Sequence, residues 1–375
     1  MNLRSVLCRE VMWLFGFLPI KKNKIVFISY YGKYYNDSPR YIFEAIAKKG
    51  GNIDCVWLLN DSQKKIGDAR VVKKGSIRSL YELATAKVWV DNCRKPLWTR
   101  KRKKQFYLQT WHSGIGNKAA EKLAQDKLTH EYIKSAIHDS NMADLFISNS
   151  KWLTKIYKEY FWYHGEILEQ GLPRDDSLYR KKDGYYKKVC KFYNIDDDTN
   201  LLLYAPTFRD DGDIRCYDMD YLSVIEYLKN ITNKKWKMII RLHPNIKDSK
   251  IDDLYGKEIL NGSKYDEIND LILASQYVIS DYSSCLFDAL LADKITLIYA
   301  SDFEHYKKKR GFIFKWDITP FPIATSTTEL LKLLENFDVT KYNDKRIKFL
   351  NNLGLVRNTR AAETVANRII TSLNQ

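Results

Sequence analysis

At 375 residues the chain exceeds the roughly 250–300 residues at which a single hydrophobic core stops growing, so we expect two domains. Hydrophobic residues make up 45% and charged residues 29% of the chain, which is ordinary for a folded protein and excludes extensive disorder. The 62 basic and 46 acidic residues leave a net charge of +16, which favours a polyanionic partner such as nucleic acid, anionic lipid or a phosphate-rich substrate.

The first predicted element is an apolar run at residues 11–20 with basic residues on both sides. This run is too short to span a bilayer, which takes about 20 apolar residues. Its aromatic residues Trp13, Phe15 and Phe17 are typical of a helix that lies in a membrane interface. Residues 1–22 are therefore predicted to form an amphipathic segment that associates with an anionic membrane surface. A helix packed on its own domain is the alternative.

Short apolar runs then alternate with segments of helical periodicity. The runs are rich in β-branched and aromatic residues, which predicts strands at 25–30, 55–59, 69–72, 88–91, 105–110 and 144–148. Helices are predicted at 39–49 and 77–86. Short buried strands separated by helices are typical of a parallel sheet, so residues 23–190 are predicted to form an α/β domain.

A second series follows a hydrophilic stretch at 179–198. Its strands are predicted at 201–204, 237–242, 277–280 and 295–299, and its helices at 222–229, 267–274, 285–291, 327–336, 345–350 and 361–373. Residues 191–355 are therefore predicted to form a second α/β domain, and residues 356–375 a C-terminal helix. The expected architecture is two doubly wound, Rossmann-type domains that face each other across a cleft.

Polar clusters follow the ends of four predicted strands. They are Trp111-His112-Ser113-Gly114, Ala205-Pro206-Thr207-Phe208-Arg209, Arg241-Leu242-His243-Pro244 and Ser280-Asp281-Tyr282-Ser283-Ser284. In open α/β sheets ligands bind outside the carboxyl ends of the strands. Histidines, arginines and hydroxyls at those ends therefore predict one active site for a shared anionic ligand.

Three residue types in these clusters suit a phosphate. Ser283 and Ser284 open a predicted helix, whose N-terminus offers unpaired N–H groups to an anion; a plain N-cap is the alternative. Arg209 offers a planar fork of donors to phosphate oxygens, unless the two aspartates that follow it neutralise its charge. Asp288, farther along the helix, can meet a hydroxylated ligand or face solvent.

The two histidines differ in their surroundings. His112 precedes Gly114 and Gly116, which permit a close approach of the backbone to a ligand. Because histidine titrates near neutral pH, His112 is a candidate general base. His243 precedes a proline, which disfavours helix at the histidine, and Arg241 points to the same side of the strand. A neutral structural histidine is the alternative for His243.

Other classes of site and partner have less support. The six cysteines contain no C-x-x-C pair, and no two histidines lie at metal-ligand spacing near a cysteine. We expect reduced thiols and a cytosolic environment, and we predict no metal ligands or certain cofactor, while a divalent ion stays open. Because no recognition module accompanies the basic charge, we expect no nucleic acid partner.

Taken together, several segments resemble those of the CDP-glycerol glycerophosphotransferase family of teichoic-acid and capsule synthesis. The segments are the four clusters above, with the second extending to Asp210 and the fourth continuing to Phe287-Asp288, together with Gly171-Leu172-Pro173-Arg174-Asp175-Asp176 and Arg310-Gly311-Phe312. The resemblance implies a GT-B fold and the transfer of a polyol phosphate, by default glycerol phosphate, from a CDP-activated donor to an acceptor hydroxyl. CMP is released. A nucleotide-sugar glycosyltransferase of the GT-B class is the alternative.

The resemblance also implies roles for individual residues. His112 and His243 are the catalytic candidates, with His112 as the general base on the acceptor hydroxyl and His243 at the donor pyrophosphate. The candidate donor-binding residues are Ser113, Gly114, Gly116, Arg174, Thr207, Arg209, Arg241, Ser283, Ser284 and Asp288. The implied acceptor is a lipid-diphosphate-linked saccharide or glycan, at the cytoplasmic face of the cell membrane, where the enzyme is expected to be peripheral.

One segment departs from the family pattern. Family members commonly read Gly-Thr-Pro after the Trp-His pair, where this chain has Ser113-Gly114-Ile115-Gly116. The altered turn borders both substrates in the implied site. Ribitol phosphate or another polyol therefore stays open as the transferred group.

Overall fold

Parallel β-sheets form the cores of two units of the chain, as seen in a computed structural model. The first unit contains Met1–Gly114, Ala120–Asp176 and Gly354–Gln375, and the second contains Ile115–Ala119 and Ser177–Leu353. The structure describes residues 3–119, 121–180, 183–209, 215–242 and 255–374.

The first unit holds a seven-stranded sheet. Its strands are β1 (Lys21–Ile28), β2 (Asp54–Leu59), β3 (Arg70–Lys73), β4 (Ala86–Asp91), β5 (Phe106–Gln109), β6 (Leu145–Ser148) and β7 (Glu166–Glu169). All neighbouring strands run parallel, in the order β3-β2-β1-β4-β5-β6-β7. The order reverses between β1 and β4, and the carboxyl ends of two strands at such a reversal are the usual ligand position in a doubly wound sheet.

The second unit repeats this arrangement with six strands. They are β8 (Asn200–Tyr204), β9 (Trp236–Ile240), β10 (Ile259–Asn261), β11 (Tyr277–Ser280), β12 (Ile295–Tyr299) and β13 (Ile323–Ala324). They pair in parallel in the order β10-β9-β8-β11-β12-β13. The reversal here lies between β8 and β11, so the residues after these two strands occupy the corresponding ligand position.

Helices connect the strands. They are α1 (Leu3–Phe15), α2 (Asp37–Lys49), α3 (Ile77–Thr85), α4 (His130–Met142), α5 (Lys151–Tyr160), α6 (Asp183–Tyr193), α7 (Tyr221–Thr232), α8 (Ile268–Ala274), α9 (Cys285–Leu291), α10 (Phe303–Arg310), α11 (Thr327–Glu335), α12 (Val339–Asn352) and α13 (Ala361–Leu373). Several begin at a capping side chain: the oxygens of Ser76, Thr129 and Ser150 accept main-chain N–H bonds at the starts of α3, α4 and α5.

The predicted fold class is confirmed, and each predicted strand is present. Strands β7, β10 and β13 were not predicted, and each of them lies at the edge of its sheet. Edge strands are partly exposed and carry a weaker apolar signal, as the two glutamates that bound β7 illustrate.

The extents of the units differ from the predicted domain boundaries. Helix α6 crosses the predicted boundary at residue 190 and packs against α8 within the second unit. Helix α13, predicted as a separate C-terminal element, packs against α2 of the first unit. The carboxylate of Asp176 accepts the main-chain N–H groups of Ala361 and Ala362 at 2.9 and 3.0 Å, which anchors the start of α13.

The N-terminal helix α1 packs on α3 and exposes its other face. Met12 is buried, and the ring of Phe15 packs edge-on against Tyr81 with centroids 5.7 Å apart. The exposed apolar side chains of α1 include Leu3 (86% exposed), Leu7 and Leu14, and Phe17, two residues after the helix ends, is 72% exposed. Among the described residues, no helix has the length and apolar character to cross a membrane.

Candidate active site

His112 lies at the reversal point of the first sheet. It follows β5, and its Nδ1 is 2.9 Å from the main-chain oxygen of Asn92, the residue directly after β4. A carbonyl oxygen only accepts hydrogen bonds, so Nδ1 carries the proton and Nε2 presents its lone pair. The side-chain oxygen of Asn92 accepts the main-chain N–H of Tyr30, which follows β1. Asn92, which bonds to both His112 and Tyr30, therefore holds the imidazole in the tautomer that can accept a proton at Nε2.

The surroundings also keep this imidazole neutral. Burial lowers the pKa of His112 below its ordinary value, and the hydrogen bond to the Asn92 carbonyl offsets only part of this effect. The rings of Trp111 and His112 lie 4.5 Å apart, and Tyr30 lies 5.9 Å from the imidazole. A neutral imidazole with a free lone pair can accept a proton from a hydroxyl.

Arg174 supports the His112 segment. Its Nη1 donates to the main-chain oxygen of His112 at 2.7 Å and to the Asp37 carboxylate at 3.1 Å. The hydroxyl of Tyr30 donates to the same carboxylate oxygen at 2.8 Å. Arg174 and Asp37 are both buried. Arg174 therefore positions the histidine, and the donor contact predicted for it stays a prediction.

Backbone strain is concentrated around this cluster. Tyr30, Tyr31, Asp37 and Trp111 have φ values of +43°, +57°, +60° and +54°, in the left-handed region that non-glycine residues rarely adopt. Such residues persist where surrounding contacts hold them, and they concentrate at functional sites. The strain supports a functional role for the His112 cluster.

The turn after His112 divides between the two units. Gly114 closes the first unit, and a Cβ atom there would lie 2.8 Å from the Asn149 amide and 3.1 Å from a Leu172 methyl group. Gly114 is thus required by packing. Gly116 belongs to the segment Ile115–Ala119 of the second unit, while Ser113 is half-buried in the first. The donor contacts predicted for these three residues stay predictions.

The reversal point of the second sheet is organised by Asp281. Its carboxylate accepts the main-chain N–H of Thr207 at 2.9 and 3.0 Å and pairs with Arg209 at 2.8 Å. The Nε and Nη2 atoms of Arg209 donate to Asp302 at 2.7 and 3.0 Å, and Tyr282 donates to Asp302 at 2.9 Å. A buried arginine between two carboxylates orders both strand ends.

This geometry changes the interpretation of Arg209. Asp210 and Asp211, the partners that the sequence suggested for this guanidinium, lie outside the described residues. Within the described part of the chain, Asp281 and Asp302 pair with the guanidinium. Arg209 acts as a scaffold for the turn, and its predicted contact with the donor stays a prediction.

Hydroxyls and a lysine border the same point. Ser283 and Ser284 are half-buried at the start of α9, and Ser284 makes no side-chain capping bond. The Nζ of Lys118 donates to the Thr207 hydroxyl at 3.3 Å, which adds a cation that the sequence analysis missed. Asp288 is buried within α9, so the solvent-facing alternative for it is wrong.

The remaining predicted residues follow β9. Arg241 donates through Nη1 to the main-chain oxygens of Gly262 and Tyr265, so it holds the loop after β10. His243 lies outside the described residues. No group of three or more His, Cys, Asp or Glu side chains within the described ranges is arranged to hold a metal ion.

Five residues of these clusters were not predicted from the sequence: Tyr30, Asp37, Asn92, Lys118 and Asp302. Asn92 and Asp302 follow β4 and β12, so the rule that polar residues after strand ends form the site could have identified them. Asp37 and Lys118 lie away from strand ends, and their roles depend on contacts with Arg174 and Thr207 that are distant in sequence.

A known protein family matches most of the chain. The family model described as CDP-Glycerol:Poly(glycerophosphate) glycerophosphotransferase matches residues 11–371. A teichoic acid poly(glycerol phosphate) polymerase of Staphylococcus epidermidis is 30% identical over 93% of this chain and 51% of its own length. One of Bacillus spizizenii is 28% identical over 93% of both chains.

The chain thus spans about half the length of the first relative and nearly all of the second. A solved structure of a variant of the wall teichoic acid polymerase TagF, soaked with CDPG, aligns over 99% of this chain and 97% of its own. Its TM-score is 0.85 at 28% identity. The chain belongs to the CDP-glycerol:poly(glycerophosphate) glycerophosphotransferase family, as its motifs predicted.

Proposed function

We propose that this enzyme transfers glycerol phosphate from CDP-glycerol to a hydroxyl of a lipid-linked or glycan acceptor in teichoic acid synthesis, releasing CMP. The observation that carries this proposal is the orientation of His112, whose Nε2 lone pair is set by the bond from Nδ1 to Asn92. Family membership and relatives described as glycerol phosphate polymerases support the choice of donor.

The proposed reaction is an in-line displacement at phosphorus. The acceptor hydroxyl oxygen attacks the phosphorus that carries glycerol, and His112 Nε2 takes the hydroxyl proton. A new phosphodiester bond forms while the bond from that phosphorus to the bridging pyrophosphate oxygen breaks. CMP leaves with the bridging oxygen and the electron pair of the broken bond.

We place the donor at the strand ends of the second unit. Thr207, Ser283 and Ser284 offer hydroxyls there, and Lys118 adds positive charge beside Thr207. Arg209 pairs with two aspartates and holds this turn, so its contribution is to fix the groups that donate hydrogen bonds to the substrate phosphates. His243 and Asp288 complete the proposed donor site by their resemblance to the family motif.

We further propose that the enzyme is peripheral on the cytoplasmic face of the cell membrane. The exposed apolar side chains of α1 suit insertion at the lipid headgroup boundary. The net charge of +16 favours an anionic membrane surface. A lipid-diphosphate-linked saccharide is the acceptor that such a location would provide.

Release of CMP from CDP-glycerol tests the proposal, with CDP-ribitol and UDP-glucose assayed in parallel against membrane-extracted lipid acceptor. We expect acceptor-dependent CMP release that falls by about 10²–10⁴-fold in His112→Ala, because general base catalysis contributes that much. His130→Ala, which removes an exposed histidine, is the matched control.

Repeating the assay with a metal chelator tests whether an ion assists the donor phosphates. Faster CMP release from CDP-ribitol would reassign the polyol. UDP release from UDP-glucose without CMP release from either donor would overturn the proposal.

A further inference from the structure

A cavity of about 330 Å³ lies beneath α1 in the first unit. Side chains of α1, of α3 and of the ends of β1, β2 and β4 line it. Its apolar wall consists of Ile28, Leu58, Leu80, Leu83, Pro96 and Trp98. The cavity therefore lies outside the carboxyl ends of strands, where ligands bind in doubly wound sheets, yet none of the predicted site residues lines it.

The charged residues of this cavity leave positive charge unmatched. Lys95 pairs with Asp91, the one carboxylate among the described lining residues, while Arg94 pairs with Glu121 and Asp139. Arg4 and Lys74 also line the cavity.

Within the described residues neither Arg4 nor Lys74 has a carboxylate or hydrogen-bond partner for its charged group. Lys74 is half-buried, and burial lowers the pKa of its ammonium; the carboxylate of Asp91 opposes this effect, while the positive charges of Lys95 and Arg4 add to it. Arg4 is exposed at the rim, and the half-buried Lys74 ammonium lies 5.8 Å from the Tyr31 ring centroid without an ion pair of its own in the described part of the chain. Together they leave net positive charge on a partly apolar cavity, which is the complement of an anion.

Buried polar atoms in the lining also lack partners. The hydroxyl of Thr99, a fully buried residue, and the Nε of Arg94 make no hydrogen bond to any described residue. Buried polar groups of folded proteins are normally hydrogen-bonded, so each unsatisfied group requires an explanation. A ligand with acceptor oxygens would satisfy both.

The cavity is close to the proposed general base. Tyr31 and Asp91 of its lining are the direct chain neighbours of Tyr30 and Asn92, which surround His112. The guanidinium of Arg94 lies 5.0 Å from the Trp111 ring centroid, and that ring is 4.5 Å from His112. Arg94 and Trp111, which contact each other, thus connect the cavity to His112.

We propose that this cavity binds the phosphate-bearing part of an amphiphilic acceptor. Arg4, Lys74 and the Thr99 hydroxyl hold the phosphate oxygens, and the apolar wall takes the hydrocarbon next to them. Because α1 covers the cavity and exposes apolar side chains, the lipid portion can remain at the membrane surface while the anionic group enters. This assignment rests on the proposed function for the identity of the ligand as acceptor.

Cys8 provides a reporter for this cavity, since it is half-buried and lines it. We would measure the rate of Cys8 alkylation by N-ethylmaleimide in the full chain, with geranyl diphosphate, inorganic pyrophosphate and geraniol as probes. Cys55, the other half-buried thiol, serves as the internal control, because burial raises the pKa of its thiol to about 12 and slows its reaction.

We expect geranyl diphosphate to slow the alkylation of Cys8 and not of Cys55, with pyrophosphate weaker and geraniol inactive. Lys74→Gln and Arg4→Gln should each raise the concentration needed for protection roughly tenfold, because a charged hydrogen bond is lost. Lys73→Gln, which changes an exposed neighbour, should leave protection unchanged. An unchanged rate of Cys8 alkylation without ligand and an unchanged melting temperature establish that each variant is folded.

Equal protection of wild type and Lys74→Gln would overturn the proposal, and pyrophosphate as effective as geranyl diphosphate would overturn its amphiphilic part. The protection assay does not depend on catalysis. Absence of CMP release in wild type would therefore refute the proposed function while the cavity is still tested. CMP release without protection of Cys8 would refute the cavity alone.

Discussion

Arg174 and His112 are joined by a 2.7 Å hydrogen bond from the guanidinium to the main-chain oxygen of the histidine. The same nitrogen pairs with the buried carboxylate of Asp37. One side chain therefore links the loop of the proposed base to the start of α2. This link explains why an arginine far from His112 in sequence belongs to the site.

Replacement of Arg174 by methionine should destabilise the protein strongly. The change leaves the Asp37 carboxylate buried without this partner, and breaking a buried ion pair costs roughly 3–5 kcal/mol. Urea unfolding followed by circular dichroism measures the loss. Arg9→Met, which breaks an exposed pair with Glu10, should change the free energy of unfolding by less than about 1 kcal/mol. Similar losses in the two variants would contradict the positioning role.

The pH dependence of activity should reflect the buried environment of His112. Burial lowers the pKa of this imidazole below its ordinary value of about 6.5, and the neutral form is the base. We expect kcat/KM for CMP release to rise with pH through a midpoint below about 6.5 and then to level off. Measurement between about pH 5 and 8 locates this midpoint.

The free energy of unfolding, like the activity, should fall as the pH drops. Because the unfolded chain protonates this histidine at a higher pH than the folded chain does, its contribution to stability falls as pH drops below about 6.5. His112→Ala should remove this part of the pH dependence of unfolding. Burial cannot place the midpoint above the ordinary histidine pKa, so a kcat/KM midpoint clearly above about 6.5 would contradict the assignment of His112 as the base.

Replacement of Ser284 by alanine should weaken donor binding without unfolding the helix. Its hydroxyl makes no capping bond, so the free energy of unfolding should change by less than about 0.5 kcal/mol. Loss of a hydrogen bond to a donor phosphate should raise the KM for CDP-glycerol roughly tenfold. Ser275→Ala is the structural control, because its buried hydroxyl donates to Leu271 at 2.7 Å. A lower melting temperature for Ser284→Ala with an unchanged KM would indicate a purely structural serine.

Charge placed on the exposed apolar side chains of α1, or on Phe17 just after this helix, should release the enzyme from membranes. Leu7→Glu and Phe17→Glu each remove an apolar side chain whose burial in lipid contributes roughly 1.5–3 kcal/mol. We expect at least about tenfold weaker co-sedimentation with anionic phosphatidylglycerol vesicles. Ile347→Glu changes an exposed apolar residue of α12 and should have no effect. Equal binding by all three variants would contradict a membrane role for α1.

Much of the fold was readable from local pattern. Central strands of a parallel sheet are buried on both faces, so runs such as those of β1 and β4 stand out as apolar segments between helices. Because ligands gather at the carboxyl ends of such strands, His112 and Ser283 could be assigned to a site before any contact was known. The edge strands β7, β10 and β13 carried a weaker signal because they are short and solvent covers part of their surface, although the edge strand β3 was predicted.

The role of each residue within the site became clear only from the tertiary structure. Arg174, Arg209 and Arg241 look alike in sequence as phosphate ligands, yet each donates to groups of its own unit that are distant along the chain. The tautomer of His112 is likewise set by the carbonyl of Asn92, which a separate strand supplies. Sequence pattern reports which residues reach a strand end, because it depends on local periodicity. Which of them bind ligand and which hold the others in place depends on hydrogen bonds between segments that only folding brings together.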